Sequence, residues 1–379
     1  MMAERKLPPS VYPPDEEGKK PLVFEHVDDY PEVPVTLTTM KFNKTGAWRN
    51  VRPVITDHKV GPCVGPCPMW VLIPKFMDLV VQGRLEDAAR VILERNPFPA
   101  ITGRICPAPC EKPCNRRKLD EPVAIRSVER FLGDLGVIEE PGEPTGKKVA
   151  IVGSNIAGLA AAYFLRRWGH DVTVFEAGNV ICQHLRGRED LPEEVLEREI
   201  EKVKTMGAEI VLNTPEPDLS GFDAVLYALT EVPADADKVT GVTDDPRVFK
   251  AGHTEPVRSM GSAKKVALSV HQYLTGQEIK PEPRPTGVVT PSQVNYFHFP
   301  LAPRTKNEAM TKEEAIYEAN RCFSCGNCNS CGNCWVYCPD NAIEWVNDMP
   351  VINLDYCKGC GVCVVECPRG VIELEPEWK

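Results

Sequence analysis

The chain has 379 residues, a formal charge of −10 and 16 cysteines. This length allows two or three domains with a sizeable core. The acidic balance argues against nucleic acid as a partner. The opening residues lack an apolar signal-peptide stretch, and no apolar run approaches the length of a membrane span. So many thiols predict a reducing, cytoplasmic location.

Residues 1–55 are proline-rich and polar and predict an extended N-terminal arm that wraps a partner or another part of the chain. The arm ends in KTGAWRNVRPV (Lys44 to Val54). Taken alone, this segment is typical of a surface loop with an aromatic anchor.

Residues 56–145 carry apolar residues three and four apart, for example in VLIPKFMDLVVQGRLEDAARVILERNPFP, and therefore predict a helical domain. The same region holds a set of five cysteines whose spacing is not that of a ferredoxin: Cys63, Cys67, Cys106, Cys110 and Cys114.

Residues 146–279 begin with KKVAIVGSNIAGLAAAYFLRRWGHDVTVFEAG, which predicts a strand, a glycine-containing turn, a helix and a second strand. Gly153 and Gly158 bracket the turn, and Glu176 follows the second strand, where a ribose hydroxyl would be held. This is the pattern of a Rossmann-like unit. Residues 280–310 are again proline-rich and predict an extended linker.

Residues 311–379 contain the strongest signal, the spacing C-x2-C-x2-C-x3-C-P, which occurs twice. This repeat is typical of two-cluster ferredoxins, in which the fourth cysteine of each run binds the other [4Fe–4S] cluster. One cluster is predicted to bind Cys328, Cys331, Cys334 and Cys367. The other is predicted to bind Cys357, Cys360, Cys363 and Cys338. Zinc knuckles are the alternative, but they do not need this proline-punctuated repeat.

The stretch VVQGRLEDAARVILERNPFPAITGRICPAPCE, followed by EPVAIRSVERF, resembles the N-terminal iron–sulfur domain of glutamate synthase small subunits and dihydropyrimidine dehydrogenase. That domain begins with a C-x2-C that is missing here before Cys63, and TKEEAIYEANRCFSCG resembles the missing piece. The resemblance implies one cluster held by Cys63, Cys114, Cys322 and Cys325. It implies a second held by Cys67, Cys106, Cys110 and Glu129. The alternative is that Cys322 and Cys325 are spare thiols, so that three clusters rather than four are expected.

The same family implies FAD on the Rossmann-like unit, at Gly153, Asn155, Gly158, Glu176 and Gly252. The chain departs from the family pattern at two of these places. Asn155 replaces the second glycine of the turn, where a side chain crowds the pyrophosphate, and His253 replaces an aspartate after Gly252. Bound FAD and a flavin-free relic therefore remain alternatives. The family's NAD(P)H domain is predicted to be absent, since only residues 230–247 stand in its place.

The last domain is also similar to the delta subunit of 2-oxoacid:ferredoxin oxidoreductases, in which a segment like KTGAWRNVRPV precedes the ferredoxin. This similarity implies a delta subunit with a glutamate-synthase-type domain inserted after Val54. The predicted fold class is α/β plus α+β: a helical iron–sulfur domain, a Rossmann-like FAD-type domain without the NAD(P)H domain, and a C-terminal two-cluster ferredoxin domain.

These patterns predict an electron-transfer subunit without a catalytic nucleophile–base pair. The expected partners are the catalytic subunits of a thiamine-diphosphate 2-oxoacid oxidoreductase, and ferredoxin or another electron-transfer protein. The alternative is an FAD-containing subunit that serves a separate NAD(P)H-oxidising chain. A third interpretation is a scaffold whose clusters are only structural.

Overall fold

The computed structural model describes residues 45–56 and 58–377. The predicted arm before Thr45 lies outside this range. No helix in these two ranges is long and apolar enough to cross a membrane. The chain forms two compact units. The larger unit is Thr56–Cys331 with Cys367–Val371, and the smaller combines the residues up to Ile55 with Gly332–Glu366 and Ile372–Lys379.

The N-terminal part of the larger unit is helical, as the apolar spacing predicts. Its helices are α1 (Ile73–Val81), α2 (Leu85–Leu93), α3 (Pro99–Ile105) and α4 (Ile125–Asp134). Glycines let α3 and α4 approach closely. A Cβ at Gly103 would stand 2.4 Å from Arg130 Cα, and one at Gly133 would stand 2.3 Å from Ala100 N. A larger residue at either position would push these helices apart.

The rest of the larger unit contains a parallel sheet of five strands in the order β4-β3-β2-β5-β6. The strands are β2 (Lys148–Val152), β3 (Asp171–Phe175), β4 (Glu209–Val211), β5 (Ala224–Leu229) and β6 (Val248–Gly252). The helices are α5 (Ile156–Arg167), α6 (Glu193–Thr205) and α7 (Pro256–Leu274). Residues 230–247, all described, contain no helix or strand, so no second nucleotide domain stands between β5 and β6.

Helix α8 (Lys312–Asn320) packs against α1 and α4 of the same unit. A capping box starts it, with Thr311 and Glu314 bonding each other's backbone amides. A buried ion network fixes its other end. Arg321 pairs with Glu318 at 2.6 Å and with Asp120 at 3.0 Å, and Glu318 also accepts a hydrogen bond from Ala124 N at 2.7 Å. The network holds the two cysteines that follow α8 against the helical region.

In the smaller unit, β1 (Val51–Ile55) pairs antiparallel with β9 (Ile372–Pro376). A second antiparallel pair, β7 (Ile343–Val346) and β8 (Met349–Ile352), turns through Asn347 and Asp348. Both turn residues have positive φ, as a two-residue hairpin loop requires. Two one-turn helices complete this unit, α9 (Asn333–Val336) and α10 (Val362–Val365).

The residues that precede β1 also form hydrogen bonds within the smaller unit. Gly46 N donates to Asp355 O at 3.0 Å, and Arg49 donates to Cys357 O at 3.0 Å and to Glu377 at 2.8 Å. A Cβ at Gly46 would stand 2.0 Å from Leu354 O, so no other residue fits there. The segment Thr45–Ile55 is therefore built into the same unit as Cys357, Cys360 and Cys363 of the second cysteine repeat.

Replacing Arg321 by Met should lower the free energy of unfolding by about 3–5 kcal/mol, because it leaves Glu318 buried without its cation. Anaerobic denaturant unfolding followed by helix circular dichroism measures this change. Arg90→Met is the control, since its ion pairs with Glu86 and Asp87 are exposed and contribute about 0–1 kcal/mol. Equal losses in the two variants would contradict the role given to the buried network.

Acid should weaken the same network through Asp120. Burial tends to raise the pKa of Asp120, but hydrogen bonds from Arg116 and Ala302 N and the charges of Arg116 and Arg321 lower it to about 2. Because the folded pKa lies below the unfolded value of about 4, this stabilisation is complete above pH ~4 and is lost as the pH falls towards 2. When the free energy of unfolding is measured against pH, Asp120→Asn should be less stable than the parent at pH 7. The two free energies should converge as the pH falls towards 2.

Candidate iron–sulfur centres and nucleotide fold

Four thiols predicted as one ligand set lie around a single small cavity of the larger unit. They are Cys63, Cys114, Cys322 and Cys325, and the other lining residues are mostly apolar. The loop before α1 supplies Cys63, and the turn after α8 supplies Cys322 and Cys325. Burial raises the pKa of the Cys63 thiol well above its usual range, and the neighbouring charges of the other three thiols raise it further. Four such sulfurs suit a cationic metal cluster.

Two nitrogen donors lie next to the sulfur atoms of this cavity. Asn115 Nδ2 lies 3.4 Å from Cys325 Sγ, and Ser324 N lies 3.3 Å from Cys322 Sγ. Donors of this kind stabilise anionic ligand sulfur and tune cluster potentials. The donor set therefore fits a [4Fe–4S] cluster, whose electron-accepting chemistry this chain would position. Sequence reasoning missed Asn115, which directly follows a predicted ligand.

The second predicted N-terminal set, Cys67, Cys106, Cys110 and Glu129, is also brought together. The pKa of Cys106 is raised to about 12. Burial is the largest cause, and the charge of Glu129 and, less strongly, that of Cys67 raise it too. The Glu129 carboxylate likewise raises the pKa of the Cys67 and Cys110 thiols, after burial in both cases. Three thiols and one carboxylate thus share a single electrostatic site.

Glu129 is half-buried on α4, and its Oε1 already has two donors. Asn96 Nδ2 donates to it at 3.1 Å, and Thr102 Oγ1 donates as well. Burial raises the pKa of Glu129 to about 7, against the lowering effect of these hydrogen bonds. Asn96 and Thr102 orient the carboxylate as outer partners orient metal ligands, which fits the role of a fourth ligand.

In the smaller unit, Cys338, Cys357, Cys360 and Cys363 line one small cavity together with Pro53 of β1. Burial raises the pKa of Cys363 to about 12, followed by the charges of Cys357, Cys360, Cys334 and Cys338. Ala342 N donates to Cys338 Sγ at 3.3 Å. These four residues are the predicted set for the second ferredoxin cluster, and the donor set fits it.

The other ferredoxin set is divided between the two units. Cys328, Cys331 and Cys367 belong to the larger unit, whereas Cys334 lies on α9 of the smaller one. Burial raises the pKa of Cys328, the charges of Cys331 and Cys367 add to it, and Arg369 opposes them. The ligation of this cluster by all four residues stays a prediction from their spacing.

No three His, Cys, Asp or Glu side chains within residues 45–56 and 58–377 are arranged to hold a single metal ion. Each thiolate of a [4Fe–4S] cluster binds a different iron, so its sulfurs stand further apart than those around one ion.

The Rossmann-like turn keeps two of its glycines for steric reasons. Gly153 has φ +108°, and a Cβ there would stand 2.7 Å from Ala228 O. A Cβ at Gly158 would stand 2.0 Å from Gly153 O, where α5 starts against the turn. These contacts preserve the close packing between turn and helix that the first and third glycines provide.

The same turn uses its amide donors internally. Asn155 Oδ1 accepts from Ala157 N at 3.0 Å and Gly158 N at 3.1 Å, while its Nδ2 donates to Ala228 O at 2.9 Å. Glu176 accepts from Ser154 N at 2.9 Å and Gly178 N at 2.9 Å. Burial tends to raise the pKa of Glu176, but these hydrogen bonds lower it overall.

A bound dinucleotide needs these amides for its pyrophosphate and this carboxylate for its ribose. The Asn155 side chain therefore holds two of the amides that a pyrophosphate would otherwise bind at this Rossmann-like turn. The sequence predicted that Asn155 crowds the pyrophosphate, whereas the structure shows that its side chain replaces the pyrophosphate as the helix cap.

Gly252 pairs with Leu229, the residue after Ala228, whose carbonyl contacts the turn at Asn155, so it lies at the same edge of the sheet as the turn. It ends β6 beside His253 on a cavity of about 770 Å³ whose lining includes Cys67 and Cys106 but neither the turn nor Glu176. His253 Nδ1 accepts from Glu255 N at 2.9 Å. The predicted FAD residues thus lie along one edge of the sheet, and Gly252 also borders the cavity.

Comparison with known proteins divides the chain in the same way. Three family models match: dihydropyrimidine dehydrogenase domain II with a 4Fe-4S cluster at residues 55–140, an NAD(P)-binding Rossmann-like domain at 151–212, and a 4Fe-4S dicluster domain at 327–371. The chain contains two iron–sulfur domains and a Rossmann-like domain. The predicted fold class is confirmed, and the chain has [4Fe–4S] clusters as cofactors.

The chain is 42% identical over 158 residues to the glutamate synthase [NADPH] small chain of Bacillus subtilis, covering 39% of this chain and 32% of that one. It is 34% identical over 238 residues to the NADP(+)-dependent formate dehydrogenase subunit beta of Moorella thermoacetica, covering 54% and 32%. It is 32% identical over 191 residues to the NADPH-Fe(3+) oxidoreductase subunit beta of Geobacter sulfurreducens, covering 45% and 28%. The chain spans about a third of the length of these relatives.

Replacing Cys325 by Ala should remove one cluster, because it deletes one of four ligands around the shared cavity. The iron content, measured anaerobically together with sulfide, should fall from about sixteen to about twelve irons per chain. Cys182→Ala is the matched control, since Cys182 is buried but belongs to none of the predicted sets. Unchanged iron in Cys325→Ala would remove Cys325 from the ligands.

Proposed function

We propose that this protein is the iron–sulfur electron-transfer subunit of a multi-subunit oxidoreductase. It relays electrons between catalytic subunits and an external acceptor such as ferredoxin. The observation that carries this proposal is the convergence of Cys63, Cys114, Cys322 and Cys325 on one apolar cavity. A chain gathers buried thiols from such distant positions when a metal cluster stabilises them. The identities to oxidoreductase subunits support the same assignment.

The preferred catalytic partner is a thiamine-diphosphate 2-oxoacid oxidoreductase. Its support is the resemblance of Lys44 to Val54 to the segment that precedes the ferredoxin in delta subunits. Strand β1 lies in the same unit as the second cysteine repeat and pairs with β9, as expected if the larger unit is an insertion. This arrangement favours a delta-type host over a free-standing ferredoxin.

The second candidate is an FAD-containing subunit that links a separate NAD(P)H-oxidising chain to a low-potential reductase. It is favoured by the nicotinamide nucleotides in the names of the relatives above. The internally capped turn at Asn155 opposes it. Flavin near one equivalent per chain after cluster extrusion would support this candidate, and its absence would eliminate it.

The smaller unit has an apolar surface suited to a protein partner. Trp335 and Val336 on α9 and Trp345 and Val346 on β7 are all at least 41% exposed. Trp345 lies near the start of α9, since a Cβ at Gly332 would stand 3.8 Å from its ring. Exposed tryptophans of this kind are typical of protein interfaces. We place the docking surface for the catalytic subunits here.

Replacing Trp335 by Ala should slow electron delivery from the catalytic subunits about tenfold or more, because interface tryptophans contribute 2 kcal/mol or more. The measurement is anaerobic bleaching of the clusters after a 2-oxoacid and coenzyme A are added to the assembled complex. Phe297→Ala, which removes an exposed aromatic from the larger unit, is the control.

Reduction by dithionite should be equal in all three proteins. Equal rates with the 2-oxoacid as well would exclude the docking surface. Bleaching by NAD(P)H with a separate dehydrogenase chain, and none by any 2-oxoacid, would replace the preferred partner by the second candidate.

A further inference from the structure

A segment of the larger unit, residues 291–304, lies against the cavity that contains Cys63, and the electron-relay proposal gives this segment no role. Phe323 lines that cavity, and the ring of Phe299 packs against the ring of Phe323 with 4.3 Å between their centroids. Tyr296 packs against the same small apolar core. The segment is therefore the layer directly outside one wall of the cavity.

The same segment also contacts a predicted ligand of the first ferredoxin cluster. Asn295 N donates to Cys367 O at 3.4 Å. Arg369 donates to Phe323 O at 2.8 Å, and its guanidinium lies 4.9 Å from the centroid of the Phe299 ring. The segment thus lies beside ligands of two predicted clusters.

Two apolar side chains of this segment point into solvent. Among the residues that the structure describes, Phe297 and Leu301 are the most exposed large apolar residues, at 88% and 73%. They are not needed to cover the cavity wall, because Tyr296 and Phe299 already pack there. Exposed apolar side chains that serve no internal packing are typical of an interaction site.

The surface beside these side chains is basic, although the whole chain carries a formal charge of −10. Residues 283–307 contain no Asp or Glu. Arg117 and Lys118 are exposed on a neighbouring short 3-10 helix. The preceding Arg116 donates to Pro300 O at 2.7 Å, which holds that helix against the segment.

Two acidic residues follow this short helix in the chain. Asp120 forms ion pairs with Arg116 at 2.5 Å and with Arg321 at 3.0 Å, so its charge is compensated. Glu121 accepts a hydrogen bond from Arg304 N at 3.3 Å. The exposed charge next to Phe297 is therefore positive on balance and favours a negatively charged partner.

We propose that Phe297, Leu301, Arg117 and Lys118 form an acceptor patch, on which an acidic electron-carrier protein of the ferredoxin type docks. The positive charges attract the carrier, and the two apolar side chains hold it over the wall of the cavity. The transfer moves one electron from a reduced cluster of this chain to the oxidised cluster of the carrier, and no bond forms or breaks. This proposal rests on the proposed electron relay and adds the surface at which electrons leave it.

The first test is anaerobic titration calorimetry of an oxidised, acidic two-cluster ferredoxin with the full-length chain, its clusters intact. The parent should bind, and Phe297→Ala should raise the Kd about tenfold or more, as loss of a central interface aromatic does. Ile138→Ala, which removes a half-exposed apolar side chain elsewhere in the larger unit, is the control and should leave the Kd unchanged. The cluster-bleaching assay above contains no carrier, so Phe297→Ala still serves as its control.

The second test concerns the charge of the acceptor patch. The double variant Arg117→Gln, Lys118→Gln should weaken ferredoxin binding about tenfold at low ionic strength, because it removes two attractive charges. The difference from the parent should shrink at 1 M salt, where the Debye length is about 3 Å. Arg247→Gln, which removes an exposed arginine before β6, is the control and should change the Kd little.

Absence of ferredoxin binding to the parent would overturn the proposal, as would equal Kd values for Phe297→Ala and Ile138→Ala. A salt-independent loss in the double variant would also contradict it. Conversion of a parent dimer into a monomer by Phe297→Ala, measured by sedimentation, would assign the patch to a second copy of this chain instead. Binding requires no catalytic subunit, so normal bleaching by a 2-oxoacid together with unchanged ferredoxin binding would reject the patch and leave the relay standing.

Discussion

Buried thiol sulfur is the constraint on which the rest of this structure depends. Burial disfavours the thiolate, and it is the largest contribution to the raised pKa of Cys63, Cys106 and Cys363. Only a bound cation compensates several thiolates in one apolar cavity. The protein therefore brings ligands from distant segments to common cavities and surrounds them with donors such as Asn115 and Ser324. The buried ion pair between Arg321 and Glu318 helps to position these ligands, because it anchors the turn that carries Cys322.

The Rossmann-like sheet acts as a support for the helical iron–sulfur region. Helix α7 approaches the loop of Cys67 at Gly261, where a Cβ would stand 2.8 Å from Pro68 O. Beside it, Lys264 donates to Met69 O at 3.3 Å and pairs with Glu282 at 2.6 Å. These contacts give the Rossmann-like domain a structural role, because they hold the loop of Cys67 in place whether or not a dinucleotide is bound.

Sequence patterns predicted the features that depend on residue spacing. They did not predict the features that depend on contacts between distant segments. The strand–turn–helix around Gly153 follows from local pattern, and so does the grouping of Cys338, Cys357, Cys360 and Cys363 around one cavity. The capping of α5 by Asn155 is local, but the hydrogen bond that holds its amide to Ala228 O, from a strand about seventy residues away, does not follow from local pattern. The cavity of about 770 Å³ was missed for the same reason, since Lys112 and Arg284 line it from distant segments of the chain. Arg369 was also missed, although it directly follows the last Cys-Pro and its charge lowers the pKa of Cys328.

The strand pair β1–β9 joins two segments that lie far apart in the sequence. In the smaller unit, Ile55 pairs with Ile372 at the end of the β1–β9 ladder. In the larger unit, Thr56 N donates to Val371 O at 2.8 Å. Paired residues at the end of a ladder hold two chain segments together, so residues 55–56 and 371–372 stay side by side although most of the chain lies between them.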